Sequence, residues 1–108
     1  MGRSSMAFTV PVKDLAEVKP TGNYVVVKAW VNHIRDLNSP VPYQKGILGD
    51  DSSWNIEPRK FVVYDSDLRL EKGNKYRIFG RERGYEDLDE IQIEIGDADH
   101  VTLLYEGK

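Results

Sequence analysis

The chain contains no cysteine. That excludes disulfide frameworks, thiol nucleophiles and cysteine-ligated metal sites, and the domain needs no oxidising compartment. It also lacks any apolar run near the roughly 18 residues of a membrane-spanning helix. Residues 1–5 carry one arginine with no hydrophobic segment behind it, so no secretory signal is expected. An intracellular protein follows as the expectation. Histidine is scarce: His33 and His100 are the two present. There is no phosphate-cradling glycine loop, no serine in a nucleophile elbow and no glycine-punctuated calcium loop. With no nucleophile, base or metal cluster to work with, the chain is not expected to be an enzyme. A positive surplus is missing too, since the net charge is −3.

What is present suits one folded domain. The 108 residues, 40% hydrophobic and 31% charged, allow a single modest core. Residues 1–9 are expected to be a flexible leader, and 10–106 the domain itself. The charge is unevenly spread. From Arg69 to Tyr85 six bases (Arg69, Lys72, Lys75, Arg77, Arg81, Arg83) stand against two acids. From Glu86 to Asp99 there are seven acids and no base. Local distribution bears on ligand choice more than the sum does.

Period-two alternation marks strands along the chain. Residues 24–35 set Val25, Val27, Ala29 and Val31 on one face and Lys28, Trp30 and Asn32 on the other. Residues 75–83 put Tyr76 and Ile78 inside, with Lys75, Arg77, Phe79, Arg81 and Arg83 outside. Residues 90–95 point Ile91, Ile93 and Ile95 inward, and 100–105 supply a last short strand. Between these lie Gly22 and Gly73, placed where a turn wants positive φ. The prolines of 36–44 require a loop, and 66–72 a turn or short helix.

The middle of the chain carries the chemistry. Apolar runs at 46–49 and 61–64 flank a polar turn, in which Trp54 is expected to cap the barrel end, with ligand binding as the alternative. If Phe61 and Val63 face a core, Lys60, Val62 and Tyr64 face out. A lysine beside a tyrosine offers a cation for phosphate and a ring for a base. Five or six evenly spaced strands predict a closed sheet, an all-β barrel binding single-stranded nucleic acid.

The order of short motifs is similar to that of the OB domains of replication protein A and its archaeal relatives. An entry like VPVKDL leads into YVVVKAWV, then a Leu48-Gly49-Asp50 turn and a strand ending Tyr64-Asp65. A Leu70-Glu71-Lys72-Gly73 step then starts the fourth strand. The likeness runs over about residues 10 to 104. Asp51, Ser52 and Ser53 replace the last residues of the family's usual turn, which also looks a few residues long here.

This resemblance implies a five-stranded OB-fold β-barrel with a short helix or turn between strands three and four. It implies sequence-tolerant binding of single-stranded DNA in replication and repair, beside other OB domains or replication proteins, in the cytoplasm with the nucleoid. It matches the family's two base-stacking aromatics to Tyr64 and Tyr85, where each stack is worth roughly 1–3 kcal/mol. Trp30 is a further candidate ring, or else a cover for the barrel against the N-terminal segment. Lys28, Lys45, Lys60, Arg77, Arg81 and Arg83 are the candidate phosphate contacts, though any of them also suits a merely solvated strand face. No cofactor or membrane enters this reading. A protein ligand, favoured by the acidic surplus, and an RNA ligand such as tRNA remain open alternatives, because fold alone does not set function.

Overall fold

Six strands build the structure, a computed structural model that describes residues 10–37, 41–85 and 90–107. The side chains of Asp36, Tyr85 and Glu90 are not among the described parts. The expected leader, 1–9, and the acids Glu86, Asp87 and Asp89 lie outside the described residues. The strands are β1 (Tyr24–Asp36), β2 (Gln44–Gly49), β3 (Arg59–Val63), β4 (Lys75–Tyr85), β5 (Glu90–Ile95) and β6 (Val101–Tyr105). They run in the order β1-β2-β3-β5-β4-β6, and β4 also pairs with β1. That last pairing closes a five-stranded barrel and leaves β6 as an extra strand on β4. The β3–β5 pair is parallel; the other ladders are antiparallel.

Alternation sorts the side chains as the strand pattern requires. Val25, Val27, Ala29 and Val31 of β1 meet Phe61 and Val63 of β3, Ile78 of β4, and Ile93 and Ile95 of β5 in one core. Full burial of a side chain of this size contributes about 1.5–3 kcal/mol. Val62 departs from expectation. It has outward parity, yet only 1% of it is exposed, in register between Lys45 of β2 and Glu94 of β5.

Both ends of the barrel are closed by chain far from the strands they cover. After Asp14 a 3₁₀ turn, Leu15–Glu17, carries Leu15 and then Val18 into the core. The Leu15 amide donates to Asp50 Oδ2 at 2.9 Å, and Arg59 Nε donates to the Leu15 carbonyl at 3.0 Å. Asp50 also accepts the Ser52 amide at 2.9 Å, so Ser52 and its neighbours form an Asp-centred turn of their own. Because Leu15 closes this end, Trp54 does not cap it as expected; it is 83% exposed.

No helix forms between β3 and β4, so the turn rather than the helix is the outcome there. Leu70 is buried, and its backbone amide and carbonyl are taken by Gln44 Oε1 and Nε2 at 2.9 and 3.0 Å. A side chain 26 residues away supplies the hydrogen bonds a helix would have made. Gly73, at φ +91°, then reverses the chain into β4, and Gly22, at φ +83°, does the same before β1.

Candidate functional site

The outward rungs of β1 and β4 set rings and cations side by side. Register pairs Trp30 with Lys75, Lys28 with Arg77, Val26 with Phe79 and Tyr24 with Arg81. Paired residues of an antiparallel ladder share a face, so these rungs form one strip. At one end Trp30 stacks on Tyr105 of β6, centroids 6.2 Å apart, and Lys75 Nζ stands 5.8 Å from each ring. Lys28 and Arg77 make an exposed basic rung in the middle. At the other end Tyr24 stacks on Phe79 at 4.9 Å and 7°, with the Arg81 guanidinium 5.0 Å over the Tyr24 ring. Val26, on the same face, is covered where the N-terminal segment pairs with it: its amide donates to the Pro11 carbonyl and its carbonyl accepts from Lys13, both at 2.9 Å.

Among the described residues, Trp30 is therefore not covered by the N-terminal segment. It packs on the last strand and remains 38% exposed, with Tyr105 at 62%. Aromatic faces attract cations within about 6 Å, which orients the lysine without neutralising it. A cation held beside two stacked, exposed rings fits a phosphate whose base stacks alongside.

Tyr64 and Arg81 meet at a cleft. It is lined by Tyr24, Tyr64, Arg81, Glu94, Gly96, Asp97 and His100. Asp65, next to Tyr64, ties its two sides together. Its Oδ1 accepts the Asp67 amide and its Oδ2 accepts the Ala98 amide, each at 2.8 Å. These backbone donors, with a smaller contribution from Arg69, hold the Asp65 carboxyl below its ordinary value. A carboxylate with a depressed folded pKa adds stability above the unfolded value, about 3.9, and loses it as pH falls through the folded value. Amide-exchange protection at Ala98 is therefore expected to survive to pH below the usual aspartate range and then drop. Asp65→Asn removes that step; a protection profile unchanged by the substitution would count against the tie.

The remaining expected contacts lie elsewhere on the barrel. Lys60 of β3, Gln92 of β5 and Arg83 of β4 share a rung, and Lys45 sits on β2 opposite Val62. Arg83 is exposed and lies 3.9 Å from Glu94, a loose surface ion pair of little energetic weight. Tyr85 pairs through its backbone with Glu90, whereas Val63, the residue before Tyr64, pairs with Ile95. At about 3.3 Å per residue along β5, those levels are roughly 17 Å apart. The Tyr85 side chain, the second expected stacking ring, lies outside the described residues. Trp30, Lys28, Arg77 and Arg81 are thus brought together, and Tyr64 joins Arg81. Lys60 and Arg83 share the rung of Gln92, whereas Lys45 lies on the rung that runs through Val62 and Glu94 to Arg81.

Sequence reasoning missed Tyr24, Lys75, His100 and Tyr105 as members of the strip. Tyr24 and Lys75 share parity with Lys28 and Arg77, so their outward face was legible, but their cross-strand partners are set by register between distant segments. Tyr105 reaches Lys75 only because the β4–β6 ladder shifts between Lys75 and Tyr76.

No protein-family model matches the chain, and no curated protein matches it. Among solved structures it is similar to the OB domain of MM0293 from Methanosarcina mazei, determined by NMR in solution. The TM-score is 0.65 at 22% identity, over 92% of this chain and 87% of that one. The fold is therefore an OB-fold, an all-β five-stranded barrel. Likeness at that identity concerns architecture, and OB barrels serve both nucleic-acid and protein ligands. Among the described residues no helix is long and apolar enough to cross a membrane.

Proposed function

We propose that this domain binds single-stranded DNA without strong sequence preference, as one module of a replication-protein-A-like protein acting with other OB domains on DNA in the cytoplasm. The observation that carries this reading is Lys75 standing beside the stacked, exposed rings of Trp30 and Tyr105, within reach of both. Beside it the Lys28–Arg77 rung extends the positive charge. Stacking tolerates any base, and the cations follow the backbone, which gives affinity without sequence readout. Tyr64, Arg81, Lys45, Lys60 and Arg83 extend the surface round the barrel, with Tyr85 at the β4 end. No catalytic role is proposed.

One such domain covers only about four nucleotides or a little more, so it binds weakly alone and gains strength when linked to others. Titration with oligothymidine, followed by Trp30 fluorescence in a Trp54→Phe background, tests the proposal. If about three phosphates are neutralised, log affinity falls with log salt at a slope of about −2. A matched RNA oligomer separates DNA from RNA binding through the 2′-hydroxyl.

A protein ligand is the second reading, and a specific feature favours it. Among the described residues, β6 has no neighbour on the side away from β4, and Leu103, Leu104 and Tyr105 on it are exposed. An uncovered apolar edge of this kind suits strand addition by a partner. Absence of oligonucleotide binding even at low salt would favour it.

A further inference from the structure

The cleft between Tyr24 and Tyr64 holds more chemistry than sequence-tolerant stacking requires. Gly96 is exposed at its edge, and no atom stands within 4 Å of where a Cβ would lie, so the cleft is open to solvent on that side. The Tyr24 wall is rigid, because Phe79 stacks behind it and His100 meets Phe79 edge-on at 4.9 Å. The other wall and the rim are fixed to each other through Asp65. Within this frame Arg81 and Glu94 are direct partners on adjacent strands, and both line the cleft.

That pairing decides the ligand. A carboxylate repels phosphate, so Glu94 is out of place on a surface that only tracks a backbone. Among the described residues its ion pair is with Arg83, at 3.9 Å, too loose to account for its position. Among the described residues Arg81 Nε is buried without a hydrogen-bond partner, its guanidinium lies over the Tyr24 ring, and the residue lines the cleft. A site offering donors from a guanidinium, itself laid over the Tyr24 ring, beside acceptors from a carboxylate and next to the Tyr64 ring complements one base best. Guanine presents O6 and N7 as acceptors for arginine. Its N1–H and N2 amino group are adjacent donors that suit a carboxylate. Adenine lacks the acceptor O6, and thymine offers a single N–H.

We infer that the cleft formed by Tyr24, Tyr64, Gly96, Arg81 and Glu94 takes a guanine base, giving an otherwise tolerant domain a guanine preference at one position of the bound strand. This rests on the single-stranded DNA reading above. The base could reach the cleft within a strand or as a free nucleotide, and the test separates the two.

An oligothymidine of about eight nucleotides, within the span such domains cover, is compared with the same oligomer carrying one internal deoxyguanosine, deoxyadenosine or deoxyinosine. The readout is the ratio of affinities, so a general change in binding cancels. The guanosine oligomer is expected to bind at least about fivefold more tightly than the others, one good bidentate pair being worth about 1–3 kcal/mol. Inosine, without the N2 amino group, falls between. In Glu94→Gln the guanosine-to-thymidine ratio drops to about one, because the carboxylate that accepts both N–H groups is gone. Ratios within twofold for all bases in the parent protein overturn the inference while leaving tolerant binding intact. A ratio that persists in Glu94→Gln overturns it as well. If no oligomer binds, the single-stranded DNA reading fails. Amide shifts at Gly96 and His100 on adding dGMP, but not dTMP, then support a free guanine nucleotide as the occupant; no shift with either overturns the inference.

Discussion

Glu82→Ala is expected to destabilise the domain by about 3 kcal/mol, the lower end of what breaking a buried ion pair costs. Glu82 lies on the inward face of β4 with 1% of its side chain exposed. Both carboxylate oxygens accept from Lys13 Nζ at 3.2 Å. Oε1 also accepts the Lys19 amide at 3.1 Å, and Oε2 accepts the Thr21 hydroxyl. One side chain thus anchors the N-terminal segment to the barrel, and alanine strands three donors at once. Lys13 remains a quarter exposed and can turn to water, which is why the figure is not higher. Against a total stability of about 5–15 kcal/mol this is a large fraction. For a domain of this size it lowers Tm by roughly 15 °C. Glu82→Gln, which keeps the shape and one acceptor oxygen, should cost about half as much. Urea or thermal unfolding measures both, and a loss under 1 kcal/mol for the alanine variant would show that the segment is held mainly by its apolar contacts.

Glu82 also marks where the sequence stops being readable. Its parity with Tyr76 and Ile78 points inward, yet in Arg81-Glu82-Arg83 it reads as part of a charged outer strip. The three donors that justify burying it come from residues about 60 or more positions away, which no local pattern reveals. The strands themselves were legible, because Val25 to Val31 and Ile91 to Ile95 alternate over long enough stretches to fix both period and face. The segment before β4 was not, since its backbone is satisfied by Gln44 across the barrel rather than by its neighbours. The candidate site divides along the same line. That Trp30, Lys28, Arg77 and Arg81 face outward follows from parity alone. That Tyr24, Lys75 and Tyr105 complete their strip, while Lys60 and Arg83 share a separate rung, depends on inter-strand register. Register is a property of the closed barrel and has no local signature.

Removing the two rings beside Lys75 should have the largest effect on binding. In Trp30→Ala/Tyr105→Ala the oligothymidine affinity is expected to fall by about 2–4 kcal/mol, roughly 30- to 1,000-fold, since each base stack contributes about 1–3 kcal/mol. Both rings are substantially exposed, at 38% and 62%, so the barrel core is untouched and the loss reports on the ligand. The cations remain, so the salt dependence of whatever binding survives is retained. Lys75→Ala gives the opposite signature, a smaller loss with the slope reduced by about 0.7. Tyr64→Ala, at the far end of the strip, is expected to cost about fivefold, as one ring of several. A double variant within threefold of the parent would move the interface off β1 and β4. Lys45→Ala and Lys60→Ala would then carry the loss, because β2 and β3 present the next row of cations around the barrel.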